Sequence, residues 1–486
     1  MRKHLRSVAT ALCVLVTFVV GGSGAPAQQP DRSKPPKPGP PQALRLPDIQ
    51  ARTLSNGLAV RIVEMHEVPV VQATLLVAVG SGADPSGKYG LASLTAAMLD
   101  EGAGTRDALE VADAVDYLGA SLSTSALFDA STVSLWVPVE RLEKALAVMA
   151  DVATRPTFPV RELERLRKDR LTSLLQARDD PSSIAEFAFP QVVFGPKHRY
   201  GTLGIGTPAT IASFTTDDLR RFHSAHYRPE RATLIVVGDV RPDSVVPLLE
   251  GAFGSWKGQG AATPVEPLPA AAQLTSRQVY IVDKPGAAQS EIRIGWVGVA
   301  RSTPDYFPLV VLNTLLGGSF TSRLNQNLRE EHGYTYGAGS SFSMRLSAGP
   351  FVASAGVETD KTAEAVAEFF NEFRDVLKPV PADELAKTKN YVALSFPGEF
   401  ETTSDVASRV GEMVTYGLPE GYFSKYVERI QAVTAEELQR VAQKYLQPDK
   451  FAVVVVGDRK VIEQPLKALN LGPVKALTVE DVMGPV

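Results

Sequence analysis

The sequence predicts an α+β fold of two duplicated domains, each a largely antiparallel or mixed sheet packed with helices. Three observations carry that prediction. The chain has 486 residues, which at roughly 100–200 residues per domain asks for more than one core. A proline- and alanine-rich stretch at 261–272 reads as a linker and leaves similar lengths on either side. Within each half, short β-rich runs alternate with helical patterns, the signature of helices packed on a sheet.

The two halves repeat one another. Thr215-Thr216-Asp217-Asp218-Leu219, Tyr227-Arg228-Pro229-Glu230 and Ile235-Val236-Val237-Gly238-Asp239 align without a gap on Thr434-Ala435-Glu436-Glu437-Leu438, Leu446-Gln447-Pro448-Asp449 and Val454-Val455-Val456-Gly457-Asp458, at a constant offset of 219. Pro159-Val160-Arg161-Glu162-Leu163 matches Pro381-Ala382-Asp383-Glu384-Leu385 at an offset of 222, in the same order. Two ordered correspondences mark a duplicated unit of about 200 residues, and two copies do not make a solenoid.

Taken from the N-terminus, Arg2, Lys3 and Arg6 precede an apolar run over 8–20 and a small-residue stretch ending Ala25-Pro26-Ala27. This predicts a secretory signal peptide over 1–27, too short in its apolar part to span a membrane. Its removal takes the formal net charge from −4 to −7 and removes the only cysteine, Cys13. Disulfides, thiol nucleophiles and thiolate metal sites are thereby excluded. Prolines at 30, 35, 36, 38, 40, 41 and 47 make 28–47 an extended linker. The first domain is expected over 48–260, a linker over 261–274, the second domain over 275–475 and a tail over 476–486. The linker predicts an exposed connection between independently folded halves. Strands are expected at 58–63, 70–79 and 131–137. Val366, Phe369, Phe370, Phe373 and Leu377 form an apolar helical face after a Thr359/Asp360 start. Leu316-Gly317-Gly318-Ser319-Phe320 lacks a phosphate-binding lysine and reads as a tight turn between helices.

With 50 Lys+Arg against 54 Asp+Glu, 44 % hydrophobic and 21 % charged residues, the chain is an ordinary globular protein. Disorder, collagen and coiled coil are excluded, and the absence of a basic stripe argues against a nucleic-acid partner. There is no Gly-x-Ser-x-Gly elbow and no complete dinucleotide or phosphate loop. Beyond the signal segment the histidines are His66, His198, His223, His226 and His332. Only His223 and His226 are close in sequence, and without a surrounding carboxylate-histidine pattern they read as surface or core residues rather than ligands.

Leu54-Ser55-Asn56-Gly57-Leu58, Gly80-Ser81-Gly82-Ala83-Asp84-Pro85, Gly90-Leu91-Ala92, Met98-Leu99-Asp100-Glu101-Gly102, Asp179-Asp180-Pro181 and Tyr227-Arg228-Pro229 resemble, in order, the pitrilysin/insulinase family of zinc metallopeptidases. The likeness is to its small two-domain bacterial and mitochondrial processing peptidase-like members, and it spans about 48–471. It implies two similar α+β domains per chain and two chains enclosing a peptide-binding chamber. Active members carry an inverted His-x-x-Glu-His zinc motif where this sequence reads Ser93-Leu94-Thr95-Ala96-Ala97. The resemblance places the two histidines at Ser93 and Ala97, the base at Ala96 and the third ligand at Ser173. Zinc binding needs imidazole and carboxylate donors, and proteolysis needs a base beside the metal-bound water; all four are missing. The chain is therefore expected to hold no metal and to be no peptidase on its own. Arg329 and Tyr336, seven positions apart, match a family pair that reaches across the chamber to orient the peptide and donate to the developing oxyanion. A buried ion pair of Arg329 with Glu330 or Glu331 and a core tyrosine is the structural alternative. The combined expectation is a periplasmic, non-catalytic subunit of a heterodimeric zinc peptidase. In it, Arg329 and Tyr336 serve in trans a homologous partner that holds the zinc and acts on peptide substrates. A structural or peptide-binding protein without hydrolysis is the alternative.

Overall fold

The computed structural model describes residues 39, 46–258, 260 and 263–485. The predicted signal peptide and all but residues 39, 46 and 47 of the proline-rich linker lie outside the described residues. Residues from 46 onward belong to one compact unit. Among the described residues no helix is long and apolar enough to cross a membrane.

The first sheet is formed by β1 (Gln50–Thr53), β2 (Ala59–Glu64), β3 (Val70–Val77), β6 (Ser121–Ala126), β7 (Ser131–Pro138) and β8 (Ala232–Gly238), in the order β1-β2-β8-β3-β7-β6. A two-stranded ribbon, β4 (Gly102–Ala103) with β5 (Arg106–Asp107), stands apart. The second sheet comprises β9 (Gln278–Asp283), β10 (Gln289–Val297), β11 (Thr335–Phe342), β12 (Pro350–Glu358), β13 (Ala452–Gly457) and β14 (Val474–Leu477), in the order β11-β12-β10-β13-β9-β14. Read from opposite ends, five strands of each sheet correspond, β2-β8-β3-β7-β6 with β9-β13-β10-β12-β11, while the sixth differs: β1 is antiparallel to β2 and β14 parallel to β9. β2 lies parallel to β8 as β9 does to β13, and the remaining inner pairs are antiparallel in both. β8 and β13, which carry the aligned valine runs, occupy equivalent central places. The other repeat segments are equivalent too. Thr215 and Thr434 close capping boxes at the starts of helices Thr216–His226 and Ala435–Tyr445, and Pro159 and Pro381 precede helices Val160–Ala177 and Ala382–Ser395.

Each sheet packs its own helices on one face, giving two large cores. The other faces are covered by exchange. Helix Thr403–Tyr416 of the second half sets Val406, Ala407 and Val410 on Val63, Leu76, Ile235 and Val237 of the first sheet. Helix Pro181–Phe194 of the first half sets Ile184, Ala188, Phe189 and Val193 on Val454 and Val456 of the second. The halves thus cover one another's sheets, whereas the linker alone predicts two independently folded halves.

Three local differences have physical causes. β3 stops at Val77 rather than Val79 because the Val79 amide turns back onto the Val77 carbonyl at 2.7 Å. The phenylalanine helix runs over Thr362–Asp375, after a 3₁₀ turn at Thr359–Lys361, so Leu377 lies beyond its end. Residues after 475 are packed rather than a free tail: β14 pairs with β9, and Val482 and Met483 join the cluster around helix Pro181–Phe194.

Candidate functional site

The positions aligned with the zinc motif lie on the short helix Leu91–Ala97. Asp84 fixes its start. The carboxylate accepts from the Gly90 and Ala92 amides at 2.7 and 2.8 Å and from Arg199 Nη2 at 3.0 Å. Both charged groups are buried, and Arg199 also lies over the Tyr89 and Phe128 rings. Burial pushes the Asp84 carboxyl up and the Arg199 guanidinium down, each opposed by the other.

Two arginines of helix Val160–Ala177 tie it to this segment. Arg170 Nη2 donates to the Ser93 carbonyl at 2.9 Å, and Arg165 pairs with Glu101. Burial lowers the Arg170 guanidinium to about 10, and its Nη1 is buried without a hydrogen-bond partner among the described residues. Ser173, one turn further along, is exposed, and its hydroxyl donates to the Asp169 carbonyl of its own helix at 3.0 Å. Ala96 is fully buried and Ser93 and Ala97 half-buried.

The structure therefore joins, through Arg170, the two helices that carry these four positions. It offers a hydroxyl, two methyls, a second hydroxyl and a guanidinium there, a set that does not fit zinc. Among the described residues no group of three or more His, Cys, Asp or Glu could hold a metal ion. His223 Nε2 contacts the Ala153 carbonyl at 2.9 Å with its ring stacked on Tyr227, and His226 Nδ1 meets Arg231.

Arg329 and Tyr336 sit on two adjacent irregularities. Arg329 belongs to a π-helical segment, Gln326–Glu331, and Tyr336 lies where the β11–β12 register shifts between Thr335 and Ala338. The Tyr336 side chain is 89 % exposed, so it is not the core tyrosine of the alternative reading. Arg329 does face Glu330, at 3.4 Å, but that pair is exposed rather than buried. Its guanidinium lies 4.7 Å from the centre of the Phe320 ring, which is itself exposed. The Gly317–Phe320 turn presses on β11: the Ser340 amide donates to the Gly317 carbonyl at 3.0 Å, and a Cβ at Gly317 would collide with that amide.

A cavity of about 840 Å³ opens between the outer face of β3, β6 and β7 and helix Thr403–Tyr416. Its wall is rich in hydroxyls, among them Ser121, Ser123, Thr132, Ser134, Ser404 and Ser408. At one end Asp129 accepts from the Leu346 amide at 3.0 Å and from Tyr416 Oη at 3.3 Å, joining the β6–β7 and β11–β12 connections.

Arg170 and the cavity were missed in the sequence. Arg170 lies three residues before Ser173, on the same helix face, so its place was readable; the cavity has no local signal.

Known proteins agree with this architecture. Residues 60–191 match the family model described as Insulinase (Peptidase family M16), and residues 213–392 match that described as Peptidase M16 inactive domain. An uncharacterized zinc protease of Bacillus subtilis, YmxG, is 25 % identical over 411 residues, covering 84 % of this chain and 98 % of its own. An uncharacterized zinc protease of Mycobacterium leprae is 27 % identical over 439 residues, covering 88 % and 96 %. Among solved structures, the peptidase M16 inactive domain from Pseudomonas fluorescens aligns with a TM-score of 0.78 at 26 % identity, over 84 % of this chain and 98 % of that one. The periplasmic protease PqqL from Escherichia coli aligns with a TM-score of 0.71 at 16 % identity, over 90 % of this chain but 52 % of its own length. Two models of one family spanning most of the chain, with a shared fold, establish that this protein belongs to the insulinase (M16) peptidase family, as a chain without the inverted zinc motif.

Proposed function

We propose that the protein is the metal-free subunit of a two-chain periplasmic M16 peptidase, in which Arg329 and Tyr336 contact the substrate at a zinc held by a homologous partner. The observation that carries this is the asymmetry of the two candidate sites. Ser93, Ala96, Ala97 and Ser173 supply neither ligand nor base, whereas Tyr336 presents a phenol 89 % exposed to solvent, on a bulge next to the segment that carries Arg329. A phenol and a guanidinium have the chemistry to donate to a developing oxyanion and to hold a peptide carbonyl or carboxylate. The periplasmic protease PqqL supports a pairing and an export compartment, since this chain matches about half of that protein. The second reading, a peptide-binding protein without hydrolysis, is favoured by the hydroxyl-lined cavity of about 840 Å³.

The test is reconstitution with a zinc-bearing homologue from the same cell envelope and an assay of peptide hydrolysis. Loss of one oxyanion donor costs roughly 10²–10³ in rate, so Tyr336→Phe should lower turnover by that factor with an unchanged melting temperature. Unchanged hydrolysis, or the lack of any zinc-bearing partner on co-purification, would overturn the proposal in favour of the second reading.

A further inference from the structure

Arg329 and Tyr336 lie on two departures from regular structure, a π-helical turn and a strand bulge, which local sequence does not hold in a fixed relation to each other. One buried side chain spans them. Asn325, 4 % exposed, closes the short helical turn Arg323–Asn325 that leads into the π segment. Its Nδ2 donates to the Phe320 carbonyl at 2.7 Å, and its Oδ1 accepts from the Ala338 amide at 3.2 Å. The first bond fixes the residue whose ring lies under the Arg329 guanidinium. The second fixes the amide at which β11 re-enters register after the Thr335–Ala338 shift, two residues past Tyr336. Next to it, Asn327 Nδ2 donates to Glu368 at 3.0 Å and to Glu372 at 2.8 Å, seating the π segment on helix Thr362–Asp375.

We propose that Asn325 is a positioning residue for the Arg329–Tyr336 pair, its carboxamide stapling the Phe320 carbonyl to the Ala338 amide; the role rests on the functional reading above. Both ends of the amide are committed, so neither an acid nor an apolar side chain of similar size replaces it. A carboxylate keeps the acceptor for Ala338 but faces the Phe320 carbonyl with a like dipole. A protonated carboxyl restores a donor there.

The experiment compares Asn325→Asp and Asn325→Leu with the unaltered chain, each labelled with 3-fluorotyrosine and followed by fluorine NMR. The Tyr336 resonance is assigned by its loss in Tyr336→Phe. At pH 8 the Asp variant should show a displaced or broadened Tyr336 resonance and faster exchange of the Ala338 amide, with hydrolysis by the reconstituted pair falling roughly 10- to 100-fold. On acidification, as the introduced carboxyl takes up a proton, the resonance should return toward its original position. Packing alone does not produce that recovery. The Leu variant should show the displacement at every pH; if it fails to fold, the Asp variant carries the test alone. A Tyr336 resonance unmoved by Asn325→Asp at pH 8, or moved but insensitive to pH, would overturn the staple. Hydrolysis unaffected by Tyr336→Phe would instead overturn the functional reading, leaving the fluorine result to stand by itself.

Discussion

His223 is one side chain through which the fold becomes sensitive to acid. Its ring lies between Phe158 and Tyr227 with Nε2 on the Ala153 carbonyl, and burial lowers it to about 4, as it does His226. An unfolded histidine titrates near 6.5. Between those values the unfolded chain binds more protons than the folded one, so stability is full above pH 6.5 and declines as pH falls toward 4. A shift of that size is worth at most about 3 kcal/mol for one buried ring. Urea unfolding across pH 7 to 4 should show the decline, and His223→Gln should reduce its slope. An unchanged slope in that variant would place the acid sensitivity in other groups.

The elements differ in how far they could be read from sequence, and the difference is physical. Capping boxes and repeat segments are local, and Thr215, Thr434, Pro159 and Pro381, which mark the repeat in sequence, stand at four helix starts in the fold. Asp179-Asp180-Pro181 reads the same way, with Asp180 as cap and proline in the first turn of helix Pro181–Phe194. The valine runs of β8 and β13 are buried throughout, in keeping with their unbroken hydrophobicity. The family resemblance singles out Arg329 and Tyr336, but the π turn and the bulge beneath them have no local signal, because Asn325, Phe320 and Ala338 meet only in the folded chain. Arg170 lies between these cases. Its guanidinium cross-links helices Leu91–Ala97 and Val160–Ala177, the two that would share a metal. A fixed positive charge there repels a dication by several kcal/mol at short range. Combining Ser93→His, Ala96→Glu, Ala97→His and Ser173→Glu should therefore give no stoichiometric zinc by metal analysis after dialysis. Adding Arg170→Met to those four should allow binding. Tight zinc in the four-residue variant, with Arg170 intact, would show that the guanidinium is no obstacle.

At the scale of the whole molecule, exchange of helices governs what the linker can do. Thr263, Pro264, Val265 and Glu266 are exposed and outside regular structure, which makes them accessible to a protease. Further along, the Pro269 carbonyl is held by His198 at 2.9 Å, and Ala271 and Leu274 pack beside helix Pro181–Phe194. Cleavage should accordingly concentrate near 263–266, while helix Thr362–Asp375, with three fully buried phenylalanines, stays intact. The cut chain should not separate. Its first part keeps helix Pro181–Phe194 on the second sheet, and its second part keeps helix Thr403–Tyr416 on the first, so parting them would expose both clusters to water. At about 25 cal/mol per Å² of apolar surface, two such faces outweigh the loss of one covalent connection. Limited proteolysis should thus give two fragments on a denaturing gel that co-elute as one species of unchanged size under native conditions. The same halves made separately should aggregate or fail to fold, and mixing them during refolding should restore the species. Fragments that elute apart after cleavage would show that each half stands alone, as the linker by itself had suggested.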